Sequence, residues 1–151
     1  MTGNLHASLP DDIPTPFVLL DRIVSADAQT LSAVRRFENC GGWQIVEAAA
    51  QAAAMHQRYL SGFSDHVFLL SVQKAPVSSC RISGPYRIFA ELTGQADRSA
   101  AYAVHLVPAD SCGDDSSAIS LVIGHTPYRS RHSRSVLEPH YRNIFQCLIT
   151  S

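Results

Sequence analysis

Residues 41–60 read G-G-W-Q-I-V-E-A-A-A-Q-A-A-A-M-H-Q-R-Y-L, and the fold follows from how this stretch must be housed. Beyond Gly41 and Gly42 it has no glycine or proline and few β-branched residues. Six alanines fall between positions 48 and 54, and alanine is the best helix former. The pattern predicts one long helix, slim enough for other elements to wrap closely. At roughly 100° per residue, Gln44, Glu47 and Gln51 fall within an arc of about 60°, with Gln44 and Gln51 nearly aligned. That is a single polar stripe, carrying a carboxylate, on a helix otherwise expected to be buried. With Ile45, Val46 and a run of alanines as neighbours, Glu47 is expected to be buried too. Desolvation would then raise its pKa, which suits an acid–base role.

The segments around the helix are β-rich. Residues 17–24 (F-V-L-L-D-R-I-V) form a short apolar run, read as an entry strand, and residues 29–37 form a second. In the latter, Leu31, Ala33 and Phe37 share a face that Arg35 interrupts. Ser61-Gly62 stops the helix, with Gly62 suited to a left-handed cap. Residues 66–73, 87–94, 99–107 and 117–124 read as four further strands, with Pro76, Gly84 and Pro85 bracketing a bend. The connection at 108–116 is acidic and expected to be exposed. Residues 1–16 form an irregular, proline-containing lead-in that docks late. Residues 127–151 are a basic tail, with Arg129, Arg131, Arg134 and Arg142 against Glu138. A short amphipathic helix is expected there from about Val136 to Leu148, with Pro139 in its first turn. The domain proper is 17–126. The order is α+β: a long central helix wrapped by a curved antiparallel sheet of five to six strands. One such sheet cannot cover the whole helix, so a dimer joined edge to edge is expected.

Composition narrows the function classes. A chain of 151 residues with 46% apolar and 17% charged residues suits one globular domain. The formal net charge of −1 argues against nucleic-acid binding by bulk electrostatics. No basic and apolar leader opens the sequence, and no run approaches the ~20 apolar residues that span a bilayer. The cysteines (Cys40, Cys80, Cys112 and Cys147) are scattered, without zinc spacing, and a reduced, cytoplasmic setting is expected.

The order F-V-L-L-D-R-I-V, strand, G-W-Q-I-V-E-A-A-A-Q-A-A, then antiparallel strands resembles the hotdog-fold 3-hydroxyacyl-[acyl-carrier-protein] dehydratases. Residues 17–24 look like their F-L-L-V-D-R-V segment. Gly42, Glu47, Ala50 and Gln51 match their P-G-x-L-x-x-E-x-x-A-Q helix, and the resemblance spans about residues 10–126. It implies that Glu47 works across a dimer interface with a histidine from a G-H-F-P loop, while helix N-terminal N–H groups polarise the thioester carbonyl. That loop is missing here, where only E-N-C-G-G separates Phe37 from Trp43. The closest resemblance is to the aryl-polyene-type predicted dehydratases, which also lack the loop. They show a W-x-x-x-E-x-x-A-Q helix followed by a histidine, matched by Trp43, Glu47, Ala50, Gln51 and His56.

The resemblance implies a homodimer or heterodimer acting on acyl thioesters of acyl carrier protein or coenzyme A, in fatty-acid or polyketide-type biosynthesis, without a cofactor. Glu47 and Gln51 are the catalytic candidates, and Gly41, Gly42, Trp43 and Gln44 the substrate-binding ones. The glycines would admit a thioester to the backbone N–H groups. Two alternatives stay open: a hotdog thioesterase, and a catalytically impaired acyl-binding or heterodimer subunit. By itself Trp43 is read as core more readily than as a substrate wall, Cys40 as a quiet buried thiol, and Asp21-Arg22 as a local ion pair. His66, His105 and His125 are read as structural, although Gly124–Pro127 spells G-H-T-P. His56 lies about 180° from Glu47 and cannot partner it within one chain. Arg35, Arg36, Arg81, Arg87 or the tail arginines would dock an acidic carrier, against the default of solvated surface charge.

Overall fold

The computed structural model describes residues 18–75, 81–111 and 118–151. Its elements run β1 (Arg22–Ala26), β2 (Thr30–Cys40), α1 (Gly42–Leu60), β3 (Asp65–Lys74), β4 (Ile82–Gln95), β5 (Ser99–Pro108), β6 (Ile119–Pro127) and α2 (Arg131–Thr150). The six strands form one sheet in the order β1-β2-β4-β5-β6-β3, antiparallel at every pairing. This is the expected α+β arrangement, with α1 laid across the concave face.

Alternation explains the core. Leu31, Ala33 and Phe37 of β2, Ile88 and Ala90 of β4, Tyr102 and Val104 of β5, and Leu121 and Ile123 of β6 all point inward and are buried. Ala48, Ala49, Ala52 and Ala53 meet them, and their small side chains let the helix sit close to the sheet. Arg35, which breaks the β2 pattern, is accommodated by Asp21, whose Oδ1 accepts from Nη1 at 2.9 Å. Asp21 therefore pairs with Arg35, not with its neighbour Arg22.

Several boundaries differ from expectation. The entry strand is only Arg22–Ala26, because residues 18–20 leave the sheet and the Leu19 N–H donates to the Gln51 side chain at 2.8 Å. β4 runs straight through Gly84 and Pro85 instead of bending, pairing them with Phe37 and Arg36. Its pairing with β5 ends at Tyr86 and Pro108, so Pro85 needs no donor on that side. Gly84 has φ +102°, a conformation that favours glycine. Pro76, the N-terminal lead-in and residues 112–117 lie outside the described residues. α1 stops as expected, with Gly62 at φ +63°.

The C-terminal helix is longer than expected. Ser130 caps it, accepting from the Ser133 N–H at 3.0 Å, so α2 begins at Arg131 and Pro139 lies in its interior. Proline is tolerated there on an exposed side, where water can serve the carbonyl left without an N–H. Ile144, Phe145 and Leu148 are buried, and the Phe145 ring stacks on Tyr59 of α1 at 5.5 Å. Among the described residues, no helix is long and apolar enough to cross a membrane.

Candidate functional site

The two faces of α1 have opposite surroundings. Ala49, Ala52, Ala53 and His56 look into the sheet. Glu47, Gln51, Ala54 and Arg58 lie roughly 180° away, within about 60° of one another. Over that second face, α1, β3 and α2 enclose a mainly apolar cavity of about 290 Å³, lined by Glu47, Gln51, Ala54 and Arg58 with Tyr141 and Ile144 among others. The volume is near the lower end of the ~300–1,000 Å³ usual for small-molecule pockets.

Glu47 stands at the open end of this stripe. It is exposed in the single chain, contrary to the burial expected from its neighbours. The sheet wraps the opposite face of α1, and Ile45 and Val46 beside it are themselves only half-buried. Gln51 Nε2 donates to Glu47 Oε1 at 3.3 Å, while Gln51 Oε1 is held by the Leu19 N–H. The glutamine is thus fixed from one side and orients the carboxylate from the other.

The helix start is built by Gln44. Its Oε1 accepts from the Gly41 N–H at 3.2 Å, so its part of the stripe caps the helix. The Gly42 and Trp43 N–H groups have no partner among the described residues and are orphan donors of the first turn. Gly41 has φ −87°, and an added Cβ would meet only Arg81 Nη1, at 3.7 Å. Nothing among the described residues therefore demands glycine there, which leaves room for an external group. Trp43 is 72% exposed, so it is not core, and it does not line the cavity.

The histidines separate cleanly. His56 is fully buried, its Nε2 2.7 Å from the Asp27 carbonyl and its Nδ1 2.8 Å from the Tyr102 hydroxyl. The carbonyl can only accept, which assigns the proton to Nε2 and lets Tyr102 donate to Nδ1. Burial lowers the His56 pKa, against the pull of the Asp27 carbonyl and charge, and raises that of Tyr102. This clip ties α1 to the β1–β2 turn and to β5. In G-H-T-P, Gly124 is required because a Cβ would come within 2.5 Å of the Phe68 ring. His125 Nδ1 lies 3.3 Å from Asp65 Oδ2, and His125 does not line the cavity. Cys40 is buried.

The candidate docking arginines are largely engaged. Arg35 holds Asp21, Arg81 Nε donates to the Asn39 carbonyl at 2.9 Å, and Arg87 reaches the Ser111 carbonyl at 3.4 Å. Arg134 and Arg142 bracket Glu138 at 2.7 and 3.2 Å. Arg36 is exposed, with only its backbone N–H tied to Asp21.

Two cavity residues did not emerge from the sequence. Arg58 Nη2 donates to the Val67 carbonyl at 3.1 Å, and its guanidinium lies 3.7 Å from the centre of the Tyr141 ring. Burial draws its pKa below the ordinary arginine value, with Tyr141 and Tyr128 pulling the other way. His140 of α2 also lines the cavity, its pKa lowered by burial and then by the Arg58 charge. The signal for Arg58 was its spacing: eleven residues from Glu47 returns to the same helix face, about 20° away. His140 had none, because nothing local says that α2 folds back onto α1.

The architecture is the hotdog fold. In sequence, no family model and no curated protein matches the chain. Solved structures do. A thioesterase from Pseudomonas aeruginosa is 16% identical, with a TM-score of 0.58 over 71% of this chain and 81% of that one. The ApeI:P dehydratase heterocomplex from Xenorhabdus doucetiae is 14% identical, with a TM-score of 0.57 over 82% and 92%. A thioesterase from Haemophilus influenzae is 14% identical, with a TM-score of 0.53 over 73% and 80%.

Proposed function

We propose that this chain acts on acyl thioesters along the open stripe of α1, as a dehydratase-type protein. It would convert a 3-hydroxyacyl thioester, carried by acyl carrier protein, into a trans-2-enoyl thioester and water. One observation carries this reading. The Glu47 carboxylate, oriented by Gln51, stands at the edge of an apolar cavity about 8 Å of helical rise from orphan N–H groups at the start of α1. The Gly42 and Trp43 N–H groups polarise the thioester carbonyl and stabilise the enolate-like charge as the α-proton leaves. Glu47 assists departure of the hydroxyl as water.

The base that takes the α-proton comes, in this reading, from a second chain. His56 and His125 do not line the cavity, and His140, which does, lies under the influence of the Arg58 charge. Phe68, Leu69, Leu70 and Val72 are exposed on β3, which ends the sheet, and Trp43 is exposed at the helix start. Unpaired apolar edges of this kind favour strand pairing with another chain. That chain would be a second copy or a related subunit, and the likeness to a dehydratase heterocomplex supports the latter. Coenzyme A is the other carrier compatible with the site.

A thioesterase is the second reading, in which Glu47 activates water. It is favoured by the exposure of Glu47 in the single chain and by the two thioesterases of like fold. The two readings separate when purified protein is given a 3-hydroxyacyl and a saturated acyl thioester in turn. Enoyl absorbance with intact thioester supports dehydration, and free thiol from both substrates supports hydrolysis. Neither product, with Glu47→Gln also without effect on ligand binding, removes the site from consideration.

A further inference from the structure

Dehydration at Glu47 gives Arg58 no role, yet Arg58 is the other charged group of the cavity. Eleven residues separate the two, about 16 Å along the helix, shortened by the lean of the Arg58 side chain toward the N-terminus. Glu47 is open to solvent, whereas Arg58 Nε has no contact with it. Among the described residues no carboxylate lies within 4.0 Å of this guanidinium, and only Nη2 has a hydrogen-bond partner. The Tyr141 face and the carbonyl end of α1 compensate its charge in part, but neither is a full negative charge. His140 Nε2 is likewise buried without a partner. Neither nitrogen is itself open to the cavity, so what Arg58 brings to these apolar walls is a guanidinium charge without a carboxylate counter-charge, which is costly.

We infer that this cavity selects acyl groups whose far end carries a carboxylate, held by the Arg58 guanidinium. The inference rests on the reading that the thioester end lies at Glu47. A carboxylate matches the planar donor fork of a guanidinium and neutralises its charge. A methyl-terminated chain of equal length fills the same apolar walls but leaves that charge without a partner. The selection is therefore for the end of the chain more than for its length.

The test compares adipoyl and hexanoyl N-acetylcysteamine thioesters, binding to Glu47→Gln protein by calorimetry. The adipoyl compound should bind at least ~10-fold tighter, in line with a hydrogen bond to a charged group. Arg58→Met should bring the two to parity, with Arg58→Lys keeping part of the preference. Equal binding by the Arg58 protein, survival of the preference in Arg58→Met, or no binding of either compound each overturns the inference. The first comparison needs no change at Arg58, so a poorly folding variant does not decide the matter. Turnover of the 3-hydroxy substrates by wild type and Glu47→Gln is read separately. Loss of the catalytic reading appears there, as turnover indifferent to Glu47, without altering the binding comparison.

Discussion

The two sides of α1 are built by opposite rules. On the sheet side, Ala48, Ala49, Ala52 and Ala53 are small and have no exposed surface, and the buried polar residues are paired, His56 at both ring nitrogens and Gln57 with the Tyr102 hydroxyl. On the other side, Glu47, Gln51 and Arg58 are polar and lie over a cavity instead of a packed layer. A helix that needed only to hold a sheet together would not carry the second face. The contrast teaches that packing and proposed chemistry are separated around one cylinder, so substitutions on the two sides should fail in different ways.

The largest divergence is expected at Glu47. Glu47→Gln should lower thioester turnover by ~10²–10⁴-fold, the usual worth of a positioned acid–base group. The midpoint of chemical denaturation should barely move, because the side chain is exposed. Ala53→Leu should do the reverse. Forcing three extra carbons against a fully buried position should cost ~1–3 kcal/mol in urea denaturation, with turnover per folded molecule retained. His56→Ala should cost a comparable ~1–3 kcal/mol, because the Tyr102 hydroxyl and Asp27 carbonyl lose their buried partner.

The same histidine gives a dependence on pH. His56 and His140 have pKa values below their ordinary 6.5 in the folded chain, so the unfolded chain takes up protons first. Stability should be fully present above about pH 6.5 and fall as the pH drops below it. Denaturation midpoints measured from pH 7.5 to 5 should show this slope in wild type and a shallower one in a His56→Gln protein. Asp27, held below 3.8 by the Gln29 and Thr30 N–H groups, adds loss only in a more acid range. The smallest effect is expected from Gln51→Ala, a several-fold fall in turnover as Glu47 loses its orienting amide. A loss as large as that of Glu47→Gln would mean that the amide takes part directly.

Much of the fold was legible because it rests on period. Apolar runs and partial alternation marked the strands, and the alanine run marked α1. The failures came where a distant element decided the outcome. Pro139 looked like a helix start until Ser130 proved to be the cap, and Gly84-Pro85 looked like a bend until the place where β5 stops pairing became visible. Glu47, Gln51 and the helix start could be proposed from local pattern. The burial of Glu47 could not, because the alanines around it specify close approach on one side of the helix only. Arg58 and His140 reach one cavity only through the return of α2 over α1, which brings together residues 82 positions apart that no local pattern connects.

The central claim is that ligand lies along the Glu47–Arg58 face of α1. Photolabelling with a diazirine-bearing acyl thioester, followed by peptide mass spectrometry, tests it most directly. The expected result is crosslinks to α1 at Gln51, Ala54 or Arg58 and to α2 between His140 and Leu148, competed by unlabelled thioester. Competable crosslinks confined to the Arg131–Arg134–Arg142 surface of α2, or to the outer face of the sheet, would contradict the account.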